Sequence, residues 1–118
     1  MSKFFVKLVL VLFGFFINSP KAAEQVTIQM LLEKGIVIIE TYPSKAPKTV
    51  KRITELINQG FYDGLTFHRV ISGFMAQGGD PLGNGTGGSG KNIVAEFNDI
   101  KHERGIVSMA RSNDPDSA

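Results

Sequence analysis

The 118-residue chain has no cysteine, few histidines and no cluster of like charges. The absence of cysteine excludes a disulfide scaffold, a thiolate zinc site and a cysteine nucleophile. The two histidines, His68 and His102, are far apart in the sequence and lack the spacing of a metal-ligand motif. A chain without a basic cluster also lacks the usual signature of nucleic-acid binding. We therefore predict no metal site and no nucleic-acid partner.

Long hydrophobic runs are also missing, apart from one near the N-terminus. Lys3 and Lys7 precede ten apolar residues at positions 8–17, and Ala22 and Ala23 follow a polar break. This order is typical of a secretory signal peptide, and ten residues are fewer than the ~20 that span a bilayer. We predict that residues 1–23 form a signal peptide, with an uncleaved N-terminal anchor as the alternative.

Removal of this leader would change the charge of the chain. It takes away three of the 13 basic residues and none of the 11 acidic ones, so the formal charge of +2 becomes about −1. The basic isoelectric point is therefore largely a property of the leader. Residues 24–118 remain, and their length allows one domain at most.

Most of residues 24–118 have the pattern of short strands. Residues 26–32 and 36–41 alternate around a turn at 33–35, which predicts a hairpin. Residues 47–58 have apolar positions at helical spacing, a proline in the first turn and Gly60 as a C-terminal cap, so we predict a helix there. Further strands are predicted at 65–71, 74–77, 93–97 and 105–110. The predicted fold class is all-β with a packed helix.

The run from residue 67 to residue 80, FHRVISGFMAQGGD, sets one arginine into a segment that otherwise reads as strand. Period-2 alternation predicts that Arg69 lies between Phe67 and Ile71 on one strand face. A lone arginine in a strand usually pairs with an acidic residue at a sheet edge, and this remains the structural alternative to a functional role.

The residues after Arg69 favour a functional role. Phe74 and Met75 follow Gly73, which can bend the strand so that both side chains serve one surface. Gln77 adds an amide that can donate and accept hydrogen bonds. Together with the arginine, these residues offer a cation, an apolar surface and a polar anchor within nine positions.

This run resembles the signature of the cyclophilins, a family of peptidyl-prolyl cis–trans isomerases. Residues 46–50, 60–67, 84–88 and 105–110 are also similar to family motifs, so the resemblance covers about residues 26–118. It implies a cyclophilin-like eight-stranded barrel with a helix at each end and a substrate groove on the outer wall. Because Arg111 and Ser112 continue in the manner of exported bacterial members, it also implies a periplasmic location.

The resemblance implies roles for individual residues. Arg69 would be the catalytic residue. The implied substrate-binding residues are Phe74, Met75, Gln77, Gly85, Ala110, Arg111 and Ser112. The expected protein is a monomer without a cofactor that acts on X–Pro bonds in unfolded or flexible protein segments. It would meet a membrane only through an uncleaved leader.

The resemblance also implies that this barrel is incomplete. In the family, more strands, a second helix and the opposite wall of the groove follow the position of Ala118. We therefore expect a C-terminally truncated domain. Two alternatives to an active isomerase stay open at this point. The chain could be an inactive or degenerate fragment, or it could bind proline-containing segments without turning them over.

Residues 83–91 match two nucleotide-binding patterns by their glycines alone. Residues 83–88 fit G-x-G-x-x-G, and residues 85–91 fit G-x-x-x-x-G-K. The first pattern requires a preceding strand and a following helix, and neither is predicted here. The second requires Ser or Thr after the lysine, where this chain has Asn92. We interpret the segment as a turn-rich loop.

Overall fold

A computed structural model describes residues 3–9 and 24–118. These residues form five strands and one helix: β1 (Phe4–Val9), β2 (Thr27–Leu32), β3 (Gly35–Glu40), α1 (Pro47–Asn58), β4 (Phe67–Ile71) and β5 (Met75–Gly78). The strands make two antiparallel sheets, one in the order β1–β2–β3 and one of β4 and β5. The prediction of a mostly sheet protein with one packed helix is confirmed.

The predicted hairpin before the helix is present as β2 and β3. Leu32 pairs with Gly35 across the turn, and Thr27 pairs with Glu40 at the far end. The ends of the two strands lie within one residue of the predicted bounds. Beyond Glu40, the Thr41 side chain donates to the Val26 carbonyl at 2.7 Å, which extends the pairing by one step.

The core lies between the three-stranded sheet and α1, which packs against β1. The sheet contributes the buried side chains of Phe4 and Ile28, and the helix contributes Leu56 and Ile57. Leu56 and Ile57 lie on the helix face that the apolar spacing predicts. Such burial is the main favourable term in folding, at about 25 cal/mol per Å² of apolar surface.

Helix α1 begins at Pro47 and receives its N-terminal cap from a distant residue. Ala46 precedes it and has no side chain that can accept a hydrogen bond. Instead, the Glu96 carboxylate accepts from the backbone N–H groups of Lys48 and Thr49, both at 2.8 Å. Burial raises the pKa of Glu96, but these hydrogen bonds outweigh it and lower the pKa overall.

The C-terminus of α1 ends as predicted at a glycine. Gly60 has a φ of +70°, which a glycine adopts without strain. The following N–H, from Phe61, donates to the Leu56 carbonyl at 3.0 Å. This is the bond of a Schellman-type helix end, and it satisfies a carbonyl that the helix itself leaves free.

Strand β1 lies within the segment predicted as a leader. It pairs with β2 along its whole length, from Phe4 with Leu32 to Val9 with Thr27. Residues 10–23, which contain most of the apolar run and the predicted cleavage region, lie outside the described residues. The assignment of residues 1–23 as a signal peptide or anchor therefore stays a prediction. In the residues that the structure describes, no helix is long and apolar enough to span a bilayer.

The predictions of two further strands are wrong within the described residues. Residues 93–97 and 105–110 are irregular, and neither pairs with another segment as a strand. Both have strand-like composition, but a strand forms only where a neighbour supplies a ladder of hydrogen bonds. Val107 remains exposed, whereas Ile93 is buried and donates its N–H to the Ala118 carbonyl at 2.6 Å. The two sheets do not close into a barrel within the described residues.

Candidate functional site

The predicted site centres on the β4–β5 hairpin. Ile71 pairs with Met75, so the loop between the strands has three residues, 72–74. Gly73 has a φ of +71°, and the Phe74 N–H donates to the Ile71 carbonyl at 3.1 Å. Three-residue hairpin loops commonly contain one residue in this left-handed conformation, and glycine adopts it best. The turn chemistry of the sequence therefore fixes the register of the strands on either side.

Arg69 and Gln77 are opposite each other in this register. Directly opposed residues share a sheet face, so both side chains lie on the same surface. An N–H of the guanidinium group lies 3.5 Å from the Gln77 side-chain oxygen, a long contact that leaves most of its donors available. Within the described residues, no carboxylate is close enough to form an ion pair with Arg69. The alternative of a structural arginine paired with an acid is not supported there.

The hairpin contains a bulge that changes the predicted face of Phe67. Phe67 pairs with Gly78, and Arg69 pairs with Gln77, so two steps on β4 match one step on β5. Because Gln77 and Gly78 are adjacent, they lie on opposite faces, and so do Arg69 and Phe67. The prediction that Phe67 and Arg69 share a face is therefore wrong.

The apolar part of the predicted site lies beside the arginine. Met75 is on the same face as Gln77 and is partly buried, whereas Phe74 lies in the turn and is 76% exposed. Ile71, opposite Met75, is also exposed. The structure thus brings Arg69, Met75 and Gln77 to one surface with Phe74 at its end. This surface of four residues is called the hairpin face below.

The opposite face of the hairpin packs against the rest of the molecule. The Phe67 ring lies 5.0 Å from the Phe4 ring, centre to centre, which joins β4 to the core. A Cβ added at Gly78 would lie 3.1 Å from Phe67, so the glycine lets the ring approach the strand. His68 is partly buried, and neither of its ring nitrogens has a partner in the described residues. These contacts favour a structural rather than a catalytic role for His68. They also anchor the hairpin to the rest of the molecule.

Gly85 lies in a loop that wraps around the Asp80 side chain. The Asp80 carboxylate accepts hydrogen bonds from the backbone N–H groups of Leu82 at 2.7 Å, Asn84 at 3.2 Å and Gly85 at 2.6 Å. Residues 81–91 contain turns and bends but no helix or strand, so the interpretation of residues 83–91 as a loop is confirmed. No role for Asp80 is predicted from the sequence. A usable signal was present, because Asp before a Pro-x step commonly accepts from the N–H two residues on.

Residues 110–112 lie in an exposed segment away from secondary structure. The Arg111 guanidinium donates to the Ser112 carbonyl at 2.8 Å, and the Ser112 N–H donates to the Ser117 hydroxyl at 2.8 Å. Within the described part of the chain, no hydrogen bond or ion pair connects Ala110, Arg111 or Ser112 to the hairpin. The part of these three residues in a binding site therefore stays a prediction.

The surface also has a shallow depression of about 460 Å³, lined by Lys3, Phe5, Leu31, Leu32 and Glu33. None of the predicted site residues lines it. The hairpin face is an open surface, and its chemistry rests on the side chains it presents rather than on enclosure.

Comparisons with known proteins identify the family of the chain. Residues 26–118 match the family model of the cyclophilin type peptidyl-prolyl cis-trans isomerase/CLD. The peptidyl-prolyl cis-trans isomerase B of Bacillus subtilis is 55% identical over 85 residues, which are 70% of this chain and 59% of that protein. A peptidyl-prolyl cis-trans isomerase of Synechococcus elongatus is 52% identical over 80 residues, 68% of this chain and 55% of that protein.

The match to more distant relatives extends further along the chain. A probable peptidyl-prolyl cis-trans isomerase of Brucella abortus is 45% identical over 104 residues, 78% of this chain and 53% of that protein. The chain thus spans a little over half the length of these curated relatives. No solved structure matches the chain significantly. The family match and the relatives together show that the chain belongs to the cyclophilin-type peptidyl-prolyl cis–trans isomerase family.

Proposed function

We propose that this domain catalyses cis–trans isomerisation of X–Pro peptide bonds in unfolded or flexible protein segments. One observation carries the proposal: Arg69 lies on an exposed strand face opposite Gln77, without a carboxylate partner in the described residues and with Met75 beside it. The family of the chain and the names of its relatives support the same activity.

The chemistry requires stabilisation of a twisted peptide bond. Amide resonance sets a rotation barrier of about 18–20 kcal/mol, and uncatalysed exchange at X–Pro takes about 10–100 s. Twisting the bond localises the lone pair on the proline nitrogen. An N–H donor aimed at that nitrogen therefore binds the twisted state more strongly than the planar one, and only such differential binding accelerates the reaction.

Arg69 is proposed as that donor. Its guanidinium group carries a positive charge and holds its donors in a plane. Its long contact with the Gln77 side-chain oxygen steadies one edge of the group and leaves the other N–H groups for the substrate. The hairpin ladder and the Phe67 packing beneath it keep the donor in place before the substrate arrives, which makes its electrostatic effect larger.

The other residues of the hairpin face are proposed to hold the substrate. Met75 and Phe74 would contact the proline ring and keep it still while the preceding peptide turns. The Gln77 amide would bond the substrate backbone close to Arg69. Gly85, Ala110, Arg111 and Ser112 are proposed to contact the residue before proline, on the strength of their match to family motifs.

We propose that the described strands belong to an eight-stranded barrel of the family type. The two antiparallel hairpins with α1 between them, and the match over residues 26–118, support this fold. Export to the periplasm is proposed from the lysine-flanked apolar run and from the resemblance of Arg111 and Ser112 to exported bacterial members. Since residues 4–9 pair with β2, the export machinery would have to engage them before that pairing forms.

A non-catalytic binder of proline-containing segments is the second candidate. The high exposure of the Phe74 ring, which leaves the proline pocket open on one side, favours it. Such a protein would bind an X–Pro peptide at the hairpin face without changing its isomerisation rate.

The test compares three arginine variants in an isomerisation assay on an X–Pro peptide. Arg69→Ala is expected to lower kcat/KM by roughly 10²–10³-fold, the usual effect of removing one fixed donor to a developing charge. Arg69→Lys keeps the charge but loses the planar fork, so we expect an intermediate loss. Arg104→Ala, at an exposed turn, is the matched control and should leave the rate unchanged. Equal activity of Arg69→Ala and Arg104→Ala would exclude the assigned role.

A further inference from the structure

Asp80 is the one charged residue that is buried within the described residues, with 6% of its surface exposed. It stands three positions after Gln77, where β5 leads into the glycine-rich loop. An ionised carboxylate without partners would be costly to bury. Its contacts therefore indicate what the burial achieves.

The partners of Asp80 are backbone N–H groups. Three amides of the following loop, those of Leu82, Asn84 and Gly85, point at its two oxygens. No lysine or arginine lies within ion-pair distance in the part of the chain that the structure describes. Burial raises the pKa of Asp80, but the amides of Leu82, Gly85, Gly87 and Asn84 lower it to about 2. The group is therefore an anion at neutral pH, enclosed by its own loop.

The loop fits closely around this anion. A Cβ added at Gly87 would lie only 2.0 Å from the nearer Asp80 oxygen, so a larger residue cannot occupy the position without moving the carboxylate. A Cβ added at the neighbouring Gly88 would have no atom within 4 Å. Gly85 has a φ of +91°, which only a glycine adopts readily, so its backbone is held in a special conformation.

We propose that Asp80 is a positioning residue of the X–Pro site, which acts through the backbone of Gly85. The inference rests on the proposed function, in which Gly85 borders the groove beside the residue that precedes proline. The Asp80 side chain holds the loop near the end of β5. The distance between Gly85 and Gln77 is then fixed by the short stretch of chain from Gln77 to Asp80 and by the hydrogen bond between Asp80 and Gly85. The loop is then organised before the substrate binds, which spares the cost of ordering it on binding.

This role predicts a specific kinetic signature. Asp80 has no contact with the rotating bond, so its loss should weaken substrate binding and leave the rotation step intact. Asp80→Asn replaces one acceptor oxygen with an NH₂ group that faces backbone donors. We expect KM for an X–Pro peptide to rise roughly tenfold with kcat changed less than about twofold, since binding rather than transition-state contact is lost. An Arg69 variant should show the reverse pattern.

A matched glycine pair tests the same idea with Asp80 intact. Gly87→Ala should displace the carboxylate and raise KM as Asp80→Asn does, whereas Gly88→Ala should behave as the wild type. The amide resonances of Gly85 and of the β2–β3 hairpin should be followed in all variants. The positioning role requires that the Gly85 resonance shifts while the resonances of the β2–β3 hairpin stay unchanged. Asp80→Ala should restore neither the wild-type KM nor the wild-type Gly85 resonance.

The outcomes separate this inference from the proposed function. If the wild type catalyses exchange and KM stays constant in Asp80→Asn and Gly87→Ala, the positioning role is overturned and the function stands. A parallel loss of folding in Gly87→Ala and Gly88→Ala would also overturn it. If the wild type binds the peptide without accelerating exchange, the function fails, and weaker binding by the two variants still supports the positioning role. A wild type that neither binds nor catalyses overturns both.

Discussion

Residues 24–78 and residues 79–118 are held in place by different kinds of contact. From Thr27 to Gly78, backbone ladders and one helix account for most of the hydrogen bonds, and apolar side chains form the core. From Gly79 onward, the described chain has no helix or strand. Three carboxylates accept from backbone amides here: Asp80 in its own loop, Glu96 at α1 and Asp116 at Ala95.

This difference shows two ways in which a sequence can specify a backbone. A ladder depends on alternation and turn chemistry, both of which are local and readable. A carboxylate that accepts from amides of a loop or of another element leaves no periodic trace, yet it holds an irregular segment at one point. A hydrogen-bond ladder positions Arg69 and Gln77, whereas a carboxylate positions Gly85. We therefore expect core substitutions to destabilise residues 24–78 most, and low pH to destabilise residues 79–118 most.

The largest expected effect comes from the core contact between β1 and β4. Phe4→Ala removes a ring that is 4% exposed and should lower the free energy of unfolding by about 3 kcal/mol. Phe5→Ala is the matched control, because Phe5 is 53% exposed and should cost about 0.5 kcal/mol or less. Urea denaturation of the full chain measures both. Equal small effects would show that β1 does not belong to the stable fold.

The second prediction uses acid to separate the two regions. The pKa of Asp80 is lowered to about 2, so its contribution is complete above the ordinary value of 3.8 and is lost as the pH falls through 2. The lowered pKa of Glu96 gives the same sign. Amide exchange between pH 4 and pH 2 should lose protection first at Gly85 and Thr49. Simultaneous loss in the β2–β3 hairpin would contradict the division.

The third prediction concerns the cap on α1. Glu96→Gln keeps one acceptor but removes the charge at the helix N-terminus, so we expect a loss of about 1 kcal/mol in the free energy of unfolding. Glu103→Gln, at an exposed turn, is the matched control and should have almost no effect. The difference between the variants should vanish at a pH below the folded pKa of Glu96. A pH-independent difference would argue against a charge effect.

The smallest expected effect is at the contact between α1 and the glycine-rich loop. The Arg52 guanidinium donates to the Ser89 hydroxyl at 3.0 Å and to its carbonyl at 3.3 Å. Ser89→Ala removes only the first bond, and about 0.5 kcal/mol should be lost, the low end of the range for one hydrogen bond. Ser44→Ala, in the exposed turn before α1, is the control. Thermal unfolding compares the two variants, and equal melting temperatures would show that the contact between Arg52 and Ser89 does not contribute to stability.

The sequence predicted the first region well because its signals are local. The helix bounds, the glycine after α1 and the two hairpins follow from apolar spacing and turn residues. The bulge that turns Phe67 away from Arg69 could not be predicted, because it depends on how two strands align. The pairing of residues 4–9 with β2 joins segments separated by about twenty residues, and the leader pattern gave no sign of it.

The second region was predicted less well for a physical reason. Residues 93–97 and 105–110 have strand composition, but composition cannot supply a neighbouring strand. Glu96 lies inside the first of these segments and serves α1 instead. The site was predicted in the same uneven way: Arg69, Met75 and Gln77 come together through a readable hairpin. The roles of Gly85, Ala110, Arg111 and Ser112 stay predictions from the family resemblance.

The central claim is that the hairpin face accelerates rotation about an X–Pro bond. NMR exchange spectroscopy on a proline-containing peptide, with the folded wild-type chain added in catalytic amount, tests it most directly. We expect cis–trans exchange well above the uncatalysed rate, which corresponds to about 10–100 s, and loss of that acceleration in Arg69→Ala. Exchange at the buffer rate, from a chain whose β2–β3 amides remain protected and whose Met75 resonance shifts on peptide addition, would contradict the claim.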